Sequence, residues 1–362
     1  MDGWIRCPRP VVVRPNGAGQ RRRLGKLLYC HFRFSIKLYK GRENDDGDWP
    51  PVVGILGATG SGKSRLSIDI ATRFSSEVVN SDKMQVYNGL DITTNKMPMV
   101  ERQGVPHHLL GEFDHTIAGE ITPMDFRLLA TERIESIRSR GRVPIIAGGS
   151  NSFVHALLSE NHVPDINPFA MENTGSICGM KYRSCRLLWI HVGWSVLKRY
   201  IDKRVDDMVE MGMVEELATH FDRNRAVNKV YKGLEKAIGV EEMDGFFLQF
   251  PPLNPNRSES NRSRVGEKSR YEEAIQDIKR NSRILARRQV EKISVLRDVH
   301  GWDIRLLDAT EAVKRKVEGA GRDEIEKSWE KDVMFPAMEE MENLFYLGDR
   351  IQDCSLYLSP CF

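Results

Sequence analysis

The chain has 362 residues, of which 40% are hydrophobic and 29% charged, so it can bury a sizeable core and has the composition of a soluble globular protein. No apolar run approaches the roughly 20 residues of a membrane-spanning helix, and no cysteine pair has the spacing of a zinc site. The net charge of +3 is uneven, because residues 1–43 hold eleven Lys and Arg against two acids and the remaining 319 residues carry −6. The main body is therefore not expected to be a basic nucleic-acid-binding surface.

Residues 1–48 are expected to lie outside the folded core. Up to Glu43 they are rich in Arg and nearly free of acids, which is typical of an organelle transit peptide, although Ser35 is their only serine. A disordered basic tail would have the same composition. The first interpretation predicts import into a plastid or another organelle, and the second leaves a cytoplasmic protein.

Residues 57–64 carry the pattern of a phosphate-binding glycine loop. They read Gly-Ala-Thr-Gly-Ser-Gly-Lys-Ser, follow the apolar run 52–56 and precede a helical pattern, which is the context that a P-loop needs. The glycines let successive backbone N–H groups point at one anion, and the helix N-terminus adds its positive dipole end. Lys63 supplies a charge and Ser64 a hydroxyl for Mg²⁺. The residues predicted to contact phosphate are Gly57, Ala58, Thr59, Gly60, Ser61, Gly62, Lys63 and Ser64.

A carboxylate, Asp82, ends the next predicted strand, which starts at Glu77. Ligands of open α/β sheets bind at the carboxyl ends of the strands, so Asp82 is expected in the same crevice as the glycine loop. The glycine turn 148–152 follows the predicted strand 142–147 and is expected to line that crevice too. Residues 83–96 are polar and lack a helical period, which by pattern alone predicts a solvated loop.

Further elements follow from capping residues and apolar periods. The predicted elements are a helix capped by Thr122, a strand at 187–192, a helix capped by Ser195 and ending at Met211, a loop at 249–269, a long helix from Tyr271 and a charged helical region at 310–346. Together they predict an α/β fold with a P-loop NTPase-like parallel sheet flanked by helices. The expected organisation is a P-loop core at 49–195, a smaller and mostly helical portion with the rest of the core at 196–346, and a tail at 347–362.

Four stretches have the order and spacing of a family's motifs. They are Gly57–Ser64, Asn80–Tyr87, Gly89–Lys96 and Gly104–Gly111. In these stretches the chain resembles the plant adenylate isopentenyltransferases, which are cytokinin synthases related to the tRNA dimethylallyltransferases. The stretch Ile145–Ser152 is again similar to that family. Several motifs in order are far more specific than a glycine loop alone.

The resemblance implies transfer of a dimethylallyl group from dimethylallyl diphosphate to the exocyclic amine of AMP, ADP or ATP, the first step of cytokinin biosynthesis. The glycine loop would then hold the donor diphosphate, with Thr59 and Lys63 stabilising the leaving group and Mg²⁺ bound at Ser64. Asp82 would accept a hydrogen bond from the amine and serve as general base. The other residues implied to contact phosphate or nucleotide are Asn95, Lys96, Ser150, Lys236 and Arg288.

The chain departs from the family pattern at two positions. Glu235 stands where relatives carry Arg, and would reverse the charge at a phosphate contact, while the adjacent Lys236 remains a candidate. His191 stands where relatives usually carry Asp, and we interpret it as an ordinary histidine at a strand end.

Three alternatives remain open. A tRNA adenine dimethylallyltransferase would need a basic groove, which the acidic balance of the main body does not favour. A small-molecule P-loop kinase would explain residues 57–64 but not the motif at 80–96. A non-catalytic descendant would explain Glu235 and His191 but not the retention of Lys63, Ser64 and Asp82. We expect a monomer that binds small-molecule substrates, with no stable nucleic-acid partner and no membrane association.

Overall fold

The computed structural model describes residues 49–164, 166–170, 179–252 and 266–355. The segment 1–48, and with it the transit-peptide interpretation, lies outside these residues. The middle of the predicted loop 249–269 and the end of the predicted tail 347–362 also lie outside them.

The centre of the fold is a parallel sheet of six strands in the order β3-β2-β4-β1-β5-β6. All residues of β1, β2 and β4 are buried, as expected for a parallel sheet covered on both faces. The predicted α/β fold with a parallel sheet is therefore confirmed. The strands are β1 (Val52–Gly57), β2 (Ser76–Asn80), β3 (His107–His108), β4 (Val143–Ala147), β5 (Cys185–His191) and β6 (Ile304–Asp308).

Helices surround this sheet. Short 3₁₀ turns occur at Met99–Arg102 and Gly233–Lys236, and a π-helical turn at Glu330–Met334. Within the described residues, no helix combines the length and the apolar character needed to span a bilayer. The helices are α1 (Lys63–Ala71), α2 (His115–Ala118), α3 (Pro123–Ser139), α4 (Asn151–Leu158), α5 (Trp194–Glu210), α6 (Met213–His220), α7 (Arg223–Asn228), α8 (Val240–Gln249), α9 (Glu267–Asp298), α10 (Thr310–Val317), α11 (Arg322–Trp329) and α12 (Phe335–Ser355).

The apolar core is divided between the two faces of the sheet. Val52 and Leu56 of β1 pack into one cluster, whereas Val53 and Ile55 pack into the other. This division follows because successive side chains of a strand point to opposite faces. The first cluster includes side chains of α3, α4 and α8, and the second includes side chains of α1, α10 and α11.

The strand order changes direction at the centre of the sheet. From β1 the chain passes over β4 to reach β2, and from β4 it passes over β1 to reach β5. The carboxyl ends of β1 and β4 therefore lie side by side at a topological switch point, which is where open α/β sheets bind ligands.

Local capping signals gave one correct and two incorrect helix starts. Thr122 caps α3 as predicted, since its hydroxyl accepts the N–H of Asp125 at 3.1 Å. The predicted cap at Ser195 is wrong, because α5 starts at Trp194 and the N–H of the capping residue Gly193 donates to Thr310 Oγ1 at 2.8 Å. This partner lies far along the chain, so a local pattern cannot indicate it. The long helix α9 starts at Glu267, before the predicted Tyr271.

The strand β6 was not predicted. Only Ile304 and Leu307 of its residues are buried, which gives neither a continuous apolar run nor an alternating pattern. It nevertheless extends the sheet beside β5. The helical character predicted for 310–346 is confirmed by α10, α11 and α12.

Candidate active site

The glycine loop has the predicted strand–loop–helix setting, between β1 and α1. Gly60 and Gly62 have φ angles of 82° and 102°, which residues with a side chain rarely adopt. Gly62 also packs against an indole ring, so that an added Cβ would lie 2.6 Å from Cη2 of Trp329. The shape of this loop therefore requires glycine at these positions.

Lys63 lies inside the glycine loop. Its ammonium donates hydrogen bonds to the carbonyl oxygens of Gly57 at 2.9 Å and Ala58 at 2.8 Å. The pKa of Lys63 is lowered to about 8, mainly by burial, with the carboxylate of Asp82 raising it and nearby Arg204 lowering it. The lysine is thus within electrostatic reach of both side chains.

Asp82 lies in the loop that follows β2. Its Oδ1 accepts the backbone N–H groups of Met84 at 3.0 Å and Gln85 at 3.4 Å, which fixes the turn. Its Oδ2 has no hydrogen-bond partner among the described residues and lies 3.0 Å from the position that a Cβ on Gly149 would take. One oxygen therefore has a structural role, and the other is available at the crevice.

The glycine turn after β4 packs closely against the Asp82 loop. A Cβ added to Gly148 would lie 2.2 Å from the carbonyl carbon of Ser81, so only glycine fits there. The N–H of Ser150 donates to Ser81 O at 3.1 Å. The loops after β2 and β4 are thereby held together at the carboxyl ends of the strands, as the sequence predicts.

Two helical residues that sequence reasoning left out of the site reach the same loop. Arg204 of α5 donates to Thr59 Oγ1 at 2.7 Å and to Asn95 Oδ1 at 3.2 Å. Gln289 of α9 accepts the N–H of Thr59 at 2.7 Å and donates to Gly149 O at 2.9 Å. Nothing in their local patterns distinguishes them from other polar helix residues.

These elements enclose a cavity of about 410 Å³. Asp82 is the only acid among its lining residues, whereas five cations line it, so the cavity suits an anionic ligand. The cations are Lys83, Arg204, Lys236, Arg288 and Lys292. An apolar wall lies beside them, formed by Met84, Ile201, Val205, Met208, Ala237, Ile238, Ile278 and Leu285.

The cations of the cavity differ in how they are held. Lys83 and Lys236 share the carboxylate of Glu120 at 2.8 and 2.6 Å, and their hydrogen bonds lower its pKa to about 2. Lys292 lies over the ring of Phe169, with its ammonium 4.9 Å from the ring centroid. Arg288 makes no hydrogen bond or ion pair within the described part of the chain, so its charge is available to a ligand.

Of the predicted contacts in residues 57–64 only Thr59 is among the lining residues of the cavity, and Asn95 and Lys96 do not line it either. The ammonium of Lys96 donates to Gly89 O at 2.5 Å and pairs with Asp91 at 2.9 Å, so this loop uses the lysine to hold its own turn. Asn95 has a φ of 52°, and its Oδ1 accepts a hydrogen bond from Arg204. Both side chains have partners within the protein, and their contact with the nucleotide stays a prediction.

The structure also shows where the predicted residues Thr59, Ser150, Ser64 and Glu235 lie relative to the cavity. Thr59 and Ser150 line the cavity together with Asp82, while Ser64 lies in the first turn of α1. Glu235 lies 3.6 Å from Arg225 and is not among the lining residues, so the reversed charge does not face the cavity.

The ring of His191 packs edge-on against Trp189, with 5.8 Å between the ring centroids. Its backbone carbonyl accepts the N–H of Ala309 at 2.8 Å. These contacts agree with the interpretation of His191 as a structural residue.

The chain is similar to known proteins both in sequence and in fold. The family model described as IPP transferase matches residues 85–175 and 168–293. Adenylate isopentenyltransferase 8, chloroplastic, of Arabidopsis thaliana is 50% identical over 266 residues, which are 73% of this chain and 78% of that protein. Adenylate isopentenyltransferase 1, chloroplastic, of the same plant is 43% identical over 306 residues, 84% of this chain and 83% of that protein.

A solved structure agrees with these matches. A eukaryotic dimethylallyltransferase acting on tRNA has a TM-score of 0.61 and 26% identity, covering 80% of this chain and 78% of its own. The two plant relatives cover 84% and 73% of the chain, and the solved structure covers 80% of it. The chain therefore belongs to the IPP transferase family, among its adenylate isopentenyltransferases, and is a prenyltransferase.

Proposed function

We propose that the protein transfers a dimethylallyl group from dimethylallyl diphosphate to the exocyclic amine of AMP, ADP or ATP, the first step of cytokinin biosynthesis. The observation that carries this proposal is the shared cavity, in which Thr59 of the glycine loop and the carboxylate of Asp82 line one space. A donor diphosphate and an acceptor amine could meet there.

The glycine loop binds the diphosphate of the donor. As the C–O bond to the prenyl group breaks, negative charge grows on the departing diphosphate, and Lys63 and Arg204 stabilise that charge. Arg204 suits this role because it is partly buried, lies near Lys63 and pairs with no carboxylate in the described part of the chain. Thr59 offers its hydroxyl at the same place.

Magnesium would complete the diphosphate site. Among the described residues, no group of three or more His, Cys, Asp or Glu could hold a metal ion by itself. That fits Mg²⁺, which usually takes most of its oxygen ligands from substrate phosphates and water. The hydroxyl of Ser64 would be its protein ligand, and the ion would add positive charge beside the leaving group.

Asp82 acts on the acceptor. The exocyclic amine of adenine is a weak nucleophile, since its lone pair is delocalised into the ring. Oδ2 of Asp82 accepts a hydrogen bond from this amine, and takes its proton as the new N–C bond to the allylic carbon forms. The protein thereby orients the amine and removes the proton released by the reaction.

The rest of the cavity matches the remaining parts of the two substrates. The apolar wall, with Val205 and Leu285, can bury the prenyl chain and one face of the base. Ser150, Lys236, Arg288 and Lys292 are placed to bind the ribose or phosphates of the nucleotide. We further propose that the enzyme is a monomer that uses free nucleotides and works in a plastid, as the chloroplastic relatives and the basic residues 1–48 suggest.

Mass spectrometry can test the proposed reaction with purified protein, Mg²⁺ and dimethylallyl diphosphate. AMP, ADP, ATP and an RNA anticodon stem-loop are supplied separately as acceptors. We expect a prenylated mononucleotide and unmodified RNA. Prenylated RNA alone would instead identify a tRNA-modifying enzyme, and phosphate transfer without a prenylated product would identify a kinase.

The proposed location of the enzyme in plastids can be tested with a fluorescent fusion protein. Residues 1–48 joined to a fluorescent protein should direct it to plastids. A signal that stays diffuse in the cytosol would contradict the targeting part of the proposal.

A further inference from the structure

Gln289 connects two of the three loops that form the sheet-edge side of the crevice, at the carboxyl ends of the strands. Its Oε1 accepts the N–H of Thr59 at 2.7 Å, and its Nε2 donates to Gly149 O at 2.9 Å. The side chain is almost completely buried, with 6% exposed. One amide thus uses both its donor and its acceptor to link the glycine loop after β1 with the turn after β4.

The backbone around Gln289 is fixed as well. Nδ2 of Asn151 donates to the carbonyl oxygen of Gln289 at 2.9 Å in a buried contact. Asn151 belongs to the glycine turn 148–152 and is the first residue of α4. Helix α9 is therefore attached to the sheet edge both through its side chain and through its main chain, which leaves the amide little freedom to shift.

Gly149 brings this amide next to the proposed general base. A Cβ added to Gly149 would lie 2.5 Å from Nε2 of Gln289 and 3.0 Å from Oδ2 of Asp82. The amide of Gln289 and the carboxylate of Asp82 thus lie on the same side of one glycine. Any change in the position of Gln289 is transmitted to Thr59 on one side and to the surroundings of Asp82 on the other.

We propose that Gln289 is a positioning residue that sets the separation between the donor diphosphate at Thr59 and the base at Asp82. This inference rests on the proposed function, because that function places the donor diphosphate at Thr59 and the acceptor amine at Asp82. Gln289 acts through the Thr59 N–H and the Gly149 carbonyl. A displacement of about 1 Å between reacting groups can lower a rate about 10²-fold. Loss of the bridge should therefore lower kcat more than it weakens binding of the diphosphate.

The experiment compares Gln289→Leu and Gln289→Glu in the full chain. Leucine is similar in size but makes neither hydrogen bond, whereas glutamate keeps the acceptor for Thr59 and loses the donor to Gly149. The matched control is Gln276→Leu, since Gln276 is an exposed glutamine of the same helix. For each protein we would measure kcat, the KM of the donor, the Kd of inorganic pyrophosphate with Mg²⁺ and amide exchange at Thr59.

We expect Gln289→Leu to lower kcat about 10²-fold, with the Kd of pyrophosphate changed less than about threefold. Gln289→Glu should lie between this variant and the wild type, and Gln276→Leu should match the wild type. Amide exchange at Thr59 should be faster in Gln289→Leu, since its N–H has lost its acceptor.

Unchanged exchange at Thr59, or a loss confined to pyrophosphate affinity, would overturn the positioning role. Equal losses in Gln289→Leu and Gln276→Leu would do the same. A wild-type chain that forms no prenylated product would instead contradict the proposed function. Exchange at Thr59 requires no substrate, so it would still decide whether Gln289 holds the glycine loop.

Discussion

The crevice has two sides that are built in different ways. The sheet-edge side consists of the glycine loop, the Asp82 loop and the Gly149 turn, each of which directly follows a strand. The helical side consists of α5 and α9, whose Arg204 and Gln289 contact Thr59 from 145 and 230 positions further along the chain. The first side offers backbone N–H groups, the Asp82 carboxylate and the Lys63 ammonium. The second offers the cations Arg204, Arg288 and Lys292 and part of the apolar wall.

The two sides of the crevice are therefore expected to contribute to different parts of catalysis. Charge stabilisation and proton removal depend mainly on the sheet-edge side, where short loops fix the groups close to the strands. Orientation of the substrates depends mainly on the helical side, where several weaker contacts act together. Substitutions at the sheet edge should therefore have larger effects than substitutions on the helices.

The largest effect is expected for Asp82→Asn. The amide keeps the shape and an acceptor oxygen for the turn but cannot take a proton, so kcat should fall by roughly 10²–10⁴-fold. Prenylated nucleotide formed under saturating substrates gives the measurement. The control is Asp91→Asn, which neutralises an exposed carboxylate of the same region that pairs with Lys96. Equal rates for Asp82→Asn and the wild type would remove Asp82 as the base.

Lys63→Ala should mainly weaken donor binding. A charged hydrogen bond contributes about 1.5–3 kcal/mol, so the Kd of inorganic pyrophosphate should rise about 10- to 100-fold. Isothermal titration calorimetry measures this directly. Lys203→Ala removes a surface lysine that pairs with Asp207 and should leave the Kd unchanged. Pyrophosphate binding that survives Lys63→Ala intact would place the diphosphate elsewhere.

Arg204→Lys tests the cation that the helical side places against the glycine loop. Lysine keeps the charge but cannot contact Thr59 and Asn95 with a rigid planar group, so kcat/KM for the donor should fall about tenfold. Steady-state kinetics with varied donor measures this loss. Arg199→Lys, at an exposed position of the same helix, should behave as wild type. A larger loss than that of Asp82→Asn would reverse the proposed ranking of the two sides.

The pKa of Lys63 predicts a pH dependence at the sheet edge. Because burial lowers this pKa to about 8, the ammonium is charged below that pH and loses its proton as the pH rises through it. Pyrophosphate affinity should therefore decline above pH 8, by at most about tenfold for one further pH unit. Calorimetry between pH 7 and 9.5 measures the decline, and Lys63→Ala should abolish it. A decline of the same size in that variant would assign the titration to another group.

The smallest effect is expected for the apolar wall. Leu285→Ala removes side-chain carbons from a partly exposed position, so the donor KM should rise about two- to fivefold at nearly unchanged kcat. The neighbouring Ile284→Ala is a close control, because Ile284 is similarly exposed and lies outside this cavity. Equal KM values for the two variants would show that Leu285 does not contact the donor.

The two sides also differ in how far the sequence predicts them. Residues 57–64 form a contiguous pattern whose glycines satisfy local backbone needs, and Asp82 follows a recognisable strand, so both could be placed in one crevice in advance. Arg204 and Gln289 could not, because their roles arise only when α5 and α9 pack beside the loops. Lys96 is predicted to contact the nucleotide, and the structure adds that Gly89 and Asp91 hold its ammonium within its own loop. No local pattern reveals such an internal use of a charged residue.

The most direct test is a crystal structure of the protein with inorganic pyrophosphate, Mg²⁺ and AMP. We predict pyrophosphate against residues 59–64 and Arg204, with the exocyclic amine of AMP within hydrogen-bonding distance of Oδ2 of Asp82. The phosphate of AMP bound in the glycine loop, with its base remote from Asp82, would contradict the proposed transfer.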